Sequence, residues 1–119
     1  MDLRVKRLIE MMNERLANKL SERIMSTSVN LSPARLRQLF KKETGLSPTQ
    51  YLRRLRTKRA ADLLQRSFLT IKEIAFHTGS GDVSHFVRDF KKHYGVTPSQ
   101  FRVGIQPPGD STSTKQIVE

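Results

Sequence analysis

The sequence has no cysteine and no tryptophan among its 119 residues, and only two tyrosines and six phenylalanines. Without cysteine there is no disulfide framework, no thiolate zinc site and no cysteine nucleophile, which suits a reducing compartment. No apolar run approaches the roughly 18 residues that a membrane-spanning helix requires. The N-terminus, Met1-Asp2-Leu3-Arg4, has no apolar stretch of signal-peptide type, so the expected location is the cytoplasm. No glycine-rich loop follows a strand and no nucleophile–base pair stands out, so the chain is read as a binding protein without cofactor, not as an enzyme. His77, His85 and His93 are spaced by eight, which places them on drifting faces of two helices; no carboxylate pattern joins them, and no metal site is expected.

Negative charge is also scarce. Eleven acidic residues face 22 basic ones, for a net charge of +11. The last thirteen residues hold only Asp110, Lys115 and Glu119, so residues 1–106 carry +12 between them. Such an imbalance points to a polyanion: nucleic acid first, an anionic membrane surface second. Length allows one domain and not two large ones, built on Leu, Ile, Val and a few Phe.

The apolar residues recur with helical period. Val5, Leu8, Ile9, Met12 and Leu16 form one stripe on a helix from about Asp2, its N-cap, to Ala17. Ser21 is placed to cap a short helix to about Ser28, and Asn30 tolerates a left-handed turn. Ser32-Pro33 pairs a capping side chain with proline at the first helical position; Leu36, Leu39 and Phe40 are the buried stripe of that helix and Gly45 ends it. Ser47-Pro48 opens a helix to about Gln65, with Tyr51, Leu52, Leu55, Ala60, Leu63 and Leu64 inward. Thr70 and Glu73 form a capping box for another short helix. Gly79 and Gly81 make the next turn, Asp82 caps a helix with Phe86 and Phe90 inward, Gly95 ends it, and Thr97-Pro98 opens a last short helix to about Arg102. From Gln106 the chain turns Pro-, Gly- and Ser/Thr-rich, and 107–119 reads as a disordered tail.

Half of this pattern repeats. Positions 40–51 read FKKETGLSPTQY and positions 90–101 read FKKHYGVTPSQF, with Leu46 and Val96, Ser47 and Thr97, Tyr51 and Phe101 as conservative pairs. The offset is 50, and Ser32 with Asp82 and Leu36 with Phe86 keep it. Upstream, Met25-Ser26 matches Ile74-Ala75 at an offset of 49. Each copy runs short helix, tight turn, capped helix. A small residue, Ser26 or Ala75, allows close crossing, and four residues on Asn30 or Gly79 accepts positive φ. That is the helix-turn-helix pattern, whose second helix lies in the major groove of DNA.

From about Leu20 to Arg102 the sequence resembles the AraC/XylS family of bacterial transcription regulators, most specifically in IKEIAFHTGSGDVSHFVRDFKKHYGVTPSQFR at 71–102, and nearly as well in LSPARLRQLFKKETGLSPTQYLRRLR at 31–56. The resemblance implies an all-α domain over 1–106 with about seven helices. It comprises a first helix-turn-helix at about 20–46, a linker helix at about 48–65 and a second helix-turn-helix at about 70–102. It implies a sequence-specific regulator, expected to be an activator, that reads two adjacent major-groove segments of double-stranded DNA, with RNA polymerase as a further expected partner. The chain then acts as a monomer or as part of a larger effector-binding regulator. Three positions depart from the family. Ser80 stands where an aromatic, most often Phe, is usual, and Thr78 where Val is; both predict weaker packing under the second turn. Glu22 stands where an apolar residue is common.

Helical geometry also selects the groove-facing side chains. With Leu36, Leu39 and Phe40 inward, Ala34, Arg37, Gln38 and Lys41 lie opposite; with Phe86 and Phe90 inward, Val83, Ser84, Val87 and Arg88 do. Arg37 suits guanine O6 and N7, Gln38 adenine N6 and N7, and Ala34 a thymine methyl. The resemblance puts base contacts on the same residues: Ala34, Arg37 and Gln38, then Val83, Ser84, Val87 and Arg88. Phosphate contacts, which set register without reading sequence, are expected from Arg35, Lys41, Lys42, Arg53, Arg59, His85, Lys91 and Lys92, with about half of the five charges between Arg53 and Arg59 engaged. A basic membrane binder would need one long cationic helix with a large apolar face, and would leave the repeat unexplained. A non-specific architectural DNA protein would share the charge without needing two groove helices.

Overall fold

The computed structural model describes residues 1–106; the expected disordered tail, 107–119, lies outside the described residues. Among the described residues the chain forms seven α-helices and no strand: α1 (Leu3–Glu14), α2 (Glu22–Ser28), α3 (Pro33–Thr44), α4 (Pro48–Arg66), α5 (Ile71–His77), α6 (Val83–Tyr94) and α7 (Pro98–Arg102). The chain divides into two compact units at Arg56 and Thr57, within α4. At 19 residues, α4 is about 28 Å long at about 1.5 Å per residue.

The helix starts are set by short polar side chains. Asp2, Ser21, Ser32, Thr70, Asp82 and Thr97 each accept a hydrogen bond from a first-turn backbone N–H. Thr70 and Glu73 close the expected reciprocal box, and the Thr70 N–H holds the Glu73 carboxyl below its ordinary range. Ser47 with Gln50 and Thr97 with Gln100 close the same box at the repeat-equivalent starts of α4 and α7.

Helix α1 stops at Glu14, three residues before the apolar stripe suggests. The carbonyls of Leu16 and Asn18, which lie past that end, are taken up by Arg56: Nε donates to the first at 3.0 Å and Nη2 to the second at 2.8 Å. Leu16 still packs against the core. At the other end of α1, the Asp2 N–H donates to the Glu43 carboxylate at the end of α3.

The two turns are one design made twice. Asn30 has φ +55° and Gly79 φ +89°, both left-handed as expected; Gly81 is not. Around each, the backbone makes the pair of bonds of a Schellman motif. Leu31 N–H reaches Ser26 C=O at 3.0 Å and Asn30 N–H reaches Thr27 C=O at 3.2 Å; Ser80 N–H reaches Ala75 C=O at 2.8 Å and Gly79 N–H reaches Phe76 C=O at 3.2 Å. Loosening at Thr78 and Ser80 is therefore confined to side chains. Thr78 is buried and its hydroxyl donates to Ile74 C=O at 2.8 Å, while Ser80 donates to Asp82 C=O at 3.0 Å. Ser80 lacks only the apolar contact that its counterpart Leu31 makes with the first core.

Each unit has its own core. The first is built on Val5, Leu8, Met12, Met25, Leu36, Phe40 and Leu52; the second on Ala60, Leu64, Ile74, Phe86, Phe90, Val96 and Phe101. The apolar residues of α4 therefore serve two cores rather than one stripe. The repeated motif places an edge-to-face aromatic pair in each. Phe40 meets Tyr51 at 5.3 Å and 81°, and Phe90 meets Phe101 at 5.3 Å and 79°.

Two kinds of substitution separate core from backbone. Phe90→Ala, at a side chain with no exposed surface, should lower the unfolding free energy by about 3–5 kcal/mol. Gly45→Ala should cost only about 1–2 kcal/mol: φ is +82° but an added methyl meets nothing within 4 Å, so the penalty is backbone alone. Chemical denaturation of the two variants measures the difference, and equal losses would contradict it.

Candidate nucleic-acid interface

The turn of each unit delivers the chain into a helix whose rotation is fixed by its buried side chains. In α3 these are Leu36 and Phe40, with Leu39 partly buried; in α6 they are Phe86 and Phe90. The opposite face is exposed in both. On α3 it carries Ala34, Arg37, Gln38 and Lys41, with Arg35 and Lys42 beside it; on α6 it carries Val83, Ser84, Arg88, Lys91 and Lys92. The two faces correspond at an offset of 50: Ala34 with Ser84, Arg37 with Val87, Gln38 with Arg88, Lys41 with Lys91. Their lysines gather in the last turns of α3 and α6, where cations interact favourably with the helix dipole.

Three of the residues expected on these faces have partners of their own. Val87 is turned partly inward and packs against the second core, so it offers less surface than Ser84 or Arg88. His85 Nε2 lies 3.3 Å from Asp89 Oδ2, one turn on. Arg37 Nη1 lies 3.0 and 3.3 Å from the two carboxylate oxygens of Glu22, at the start of α2. Arg88 makes no ion pair or hydrogen bond among the described residues. Of the other histidines, His77 meets the exposed Phe76 ring edge-on and His93 the Tyr94 ring.

The charges of α4 divide between surface and structure. Arg53 and Arg59, both expected phosphate contacts, are exposed, as are Arg54 and Lys58; Arg53 also has an interaction within the protein. Arg56 is half-buried and spends its guanidinium on the two carbonyls past the end of α1, and burial lowers its pKa. Arg102 does the same in the second unit: Nε donates to Leu64 C=O at 3.0 Å and Nη2 to Ser67 C=O at 3.3 Å. Sequence reasoning missed both anchors. They do not sit at equivalent repeat positions, since Arg102 aligns with Leu52, so the repeat gives no signal for them.

The arrangement can present two positively charged helical faces whose central side chains are donors, acceptors or small apolar groups. Side chains of those types distinguish base edges in a major groove. No described helix is long and apolar enough to cross a membrane.

Comparison with known proteins agrees. A family described as Helix-turn-helix domain matches residues 25–103. The chain is 34% identical over 103 residues to the HTH-type transcriptional activator RhaS of Escherichia fergusonii, covering 87% of this chain and 37% of that protein. It therefore spans little more than a third of the length of the RhaS proteins it matches. Among solved structures it is similar to the C-terminal domain of AraT, a response regulator from Geobacillus stearothermophilus, with TM-score 0.84, 29% identity and 92% of each chain covered. It is also similar to a transcriptional regulator of the AraC-type DNA-binding domain class from Chromobacterium violaceum, with TM-score 0.79, 28% identity, and 89% of this chain and 95% of that one covered.

The division of the arginines has a direct consequence. Arg56→Ala leaves two carbonyl oxygens without their donors and should lower the unfolding free energy by about 1–3 kcal/mol. Lys42→Ala, on an exposed surface, should change it by no more than about 0.5 kcal/mol. Thermal or urea unfolding checks the contrast; an Arg56→Ala variant as stable as wild type would remove the structural role.

Proposed function

This chain belongs to the AraC/XylS family through its helix-turn-helix DNA-binding domain, and from that premise we propose that it is a sequence-specific, double-stranded-DNA-binding regulator of transcription. Helices α3 and α6 enter adjacent major-groove segments. The observation that carries this reading is the pair of helices with matching buried anchors, Leu36 and Phe40 in one and Phe86 and Phe90 in the other, each leaving a basic, donor-bearing face exposed. Arg37, Gln38 and Ala34 read one segment, and Arg88, Ser84 and Val83, with the edge of Val87, read the other. Lys41, Lys42, Lys91, Lys92, Arg35, Arg53, Arg59 and, when free of Asp89, His85 hold phosphates.

The proposed activity is binding, not catalysis. Activation is the proposed sign of regulation, because the RhaS relatives are named activators; it implies RNA polymerase as a further partner and action in the cytoplasm, where bacterial DNA lies. A monomer suffices for binding on this reading. The repeat is tandem in sequence and its two faces differ, so the site it fits has no palindrome. The same domain also serves within a longer effector-binding regulator.

Binding should be steeply salt-dependent. If six to ten phosphates are neutralised, affinity should fall about 10³–10⁵-fold between about 50 and 200 mM salt; a flat response in a titration series would refute a phosphate-tracking interface. An excess of random duplex should compete poorly, whereas equal competition would indicate a non-specific architectural protein. On a duplex selected from a random pool, Arg37→Ala and Arg88→Ala should each cost about 1–3 kcal/mol and relax preference at one or two base pairs. Their footprints should lose different ends of the site. Loss of the same base pairs by both variants, or a requirement for a palindrome and a dimer, would overturn the bipartite reading.

A further inference from the structure

We propose that Glu22 is a positioning residue that directs Arg37 to guanine and so sets the base preference of α3. The inference rests on the reading of α3 as a groove helix and adds to it a residue outside that helix.

The geometry of the pair is selective. Both Glu22 oxygens converge on one nitrogen of Arg37, Nη1, at 3.0 and 3.3 Å. The opposite edge of the guanidinium, Nε and Nη2, has no hydrogen-bond partner among the described residues. That edge is a two-donor fork, the arrangement that matches guanine O6 and N7. The backbone that carries the carboxylate is itself well fixed. Glu22 opens α2, where the helix dipole favours an anion, and Ser21 caps that helix through the Ile24 N–H at 3.2 Å. An arginine tethered at one nitrogen has less rotamer freedom to lose when its other edge meets a base.

The second unit shows that the fold does not need this ion pair. The counterparts of Glu22 and Arg37 are Ile71, at an offset of 49, and Val87, at an offset of 50. Both are partly buried and pack against the second core. The positions at the first turn of the short helix and the middle of the next one are therefore apolar in one unit and an ion pair in the other. Folding asks only for apolar residues there, so the charge at Glu22 answers to something else.

Its charge acts on specificity a second way. Glu22 is partly exposed beside a face built for a polyanion, and it repels phosphate wherever the Arg37 fork is not engaged on a base. Specificity is a difference between two affinities, and one carboxylate acts on both: it favours the guanine contact and weakens binding everywhere else.

The test uses the full chain and two probes, a duplex selected by the wild type from a random pool and a random-sequence duplex. Wild type, Glu22→Gln, Arg37→Ala and the double variant are compared on the selected duplex and on versions with each G·C pair exchanged. Arg37→Ala should reduce preference at one G·C pair by about 5- to 150-fold. Glu22→Gln should reduce the same preference by about 1.4- to fivefold, the span of an exposed ion pair, while tightening binding to random duplex. In the Arg37→Ala background, Glu22→Gln should no longer move the preference but should still tighten random binding. Glu22→Ile, which copies the apolar arrangement of the second unit, should behave as Glu22→Gln does and guards against a folding defect. If either Glu22 variant tightens selected and random duplexes alike and leaves the preference intact, Glu22 is only a counter-charge and the inference fails. If Arg37→Ala itself leaves every preference unchanged, it is the groove reading of α3 that fails.

Discussion

The rotation of α3 and α6 about their own axes is the constraint from which the rest follows. Each helix buries an apolar side chain and, one turn later, a phenylalanine, and each phenylalanine is met edge-on by the aromatic ring that opens the following helix, Tyr51 or Phe101. A ring with no exposed surface cannot swing outward without emptying a core. Once Phe40 and Phe90 are inward, the side chains about half a turn away are outward, and their identities become free to vary. The capped starts at Ser32 and Asp82 and the left-handed stops at Gly45 and Gly95 fix the length of helix that is presented. The exposed faces are thus a by-product of core packing, and the core is where the repeat is best kept.

A net charge of +11 could be spread evenly over such a surface, but the structure sorts it. Arg56 and Arg102 are withdrawn to hold carbonyls in the last turn of a helix or past its end, where no intrahelical donor reaches. Arg37 is held at one end by Glu22, and Arg4 is paired with Asp2 at 3.1 Å. What remains unspent includes the lysine pairs at the ends of α3 and α6, whose ammonium groups suit phosphate as point charges without demanding a particular base. The side chains are graded along each helix: forks, amides and small groups predominate in its first two turns, lysines in its last.

Much of this was legible in the sequence because it depends on local chemistry. Cap residues, proline at the first helical position and a residue tolerant of positive φ each announce themselves within four residues, and all seven helices were located from them. What was less legible depended on distant partners. The stripe through Leu16 suggested a helix to Ala17, but the backbone leaves the helix after Glu14 and its carbonyls meet an arginine 40 residues away. Arg56 itself looked like one of five equivalent charges on α4. Gly81 looked like a second turn glycine, but one left-handed residue, Gly79, completes the motif. Val87 lies at the margin of its helix face, where spacing alone could not tell groove from core.

The comparison within the chain says more about what the protein reads than either half alone. Residues that build the scaffold recur in register: the small residue at the crossing, the left-handed turn, the inward phenylalanine, the buried proline. Residues on the exposed faces do not, with Arg37 against Val87 and Gln38 against Arg88. A duplicated unit that recognised the same sequence twice would have kept its readers along with its core. Instead the donors of the first face are a tethered fork and an amide, and those of the second are a hydroxyl and an arginine with no partner among the described residues. The two faces also differ in how firmly their arginines are held before any ligand arrives. A held side chain loses less entropy on binding and tolerates fewer alternatives; an unheld one adapts. On the proposed groove reading, the first unit is accordingly built for stringency at one base pair, and the second for contact that tolerates more variation in its site.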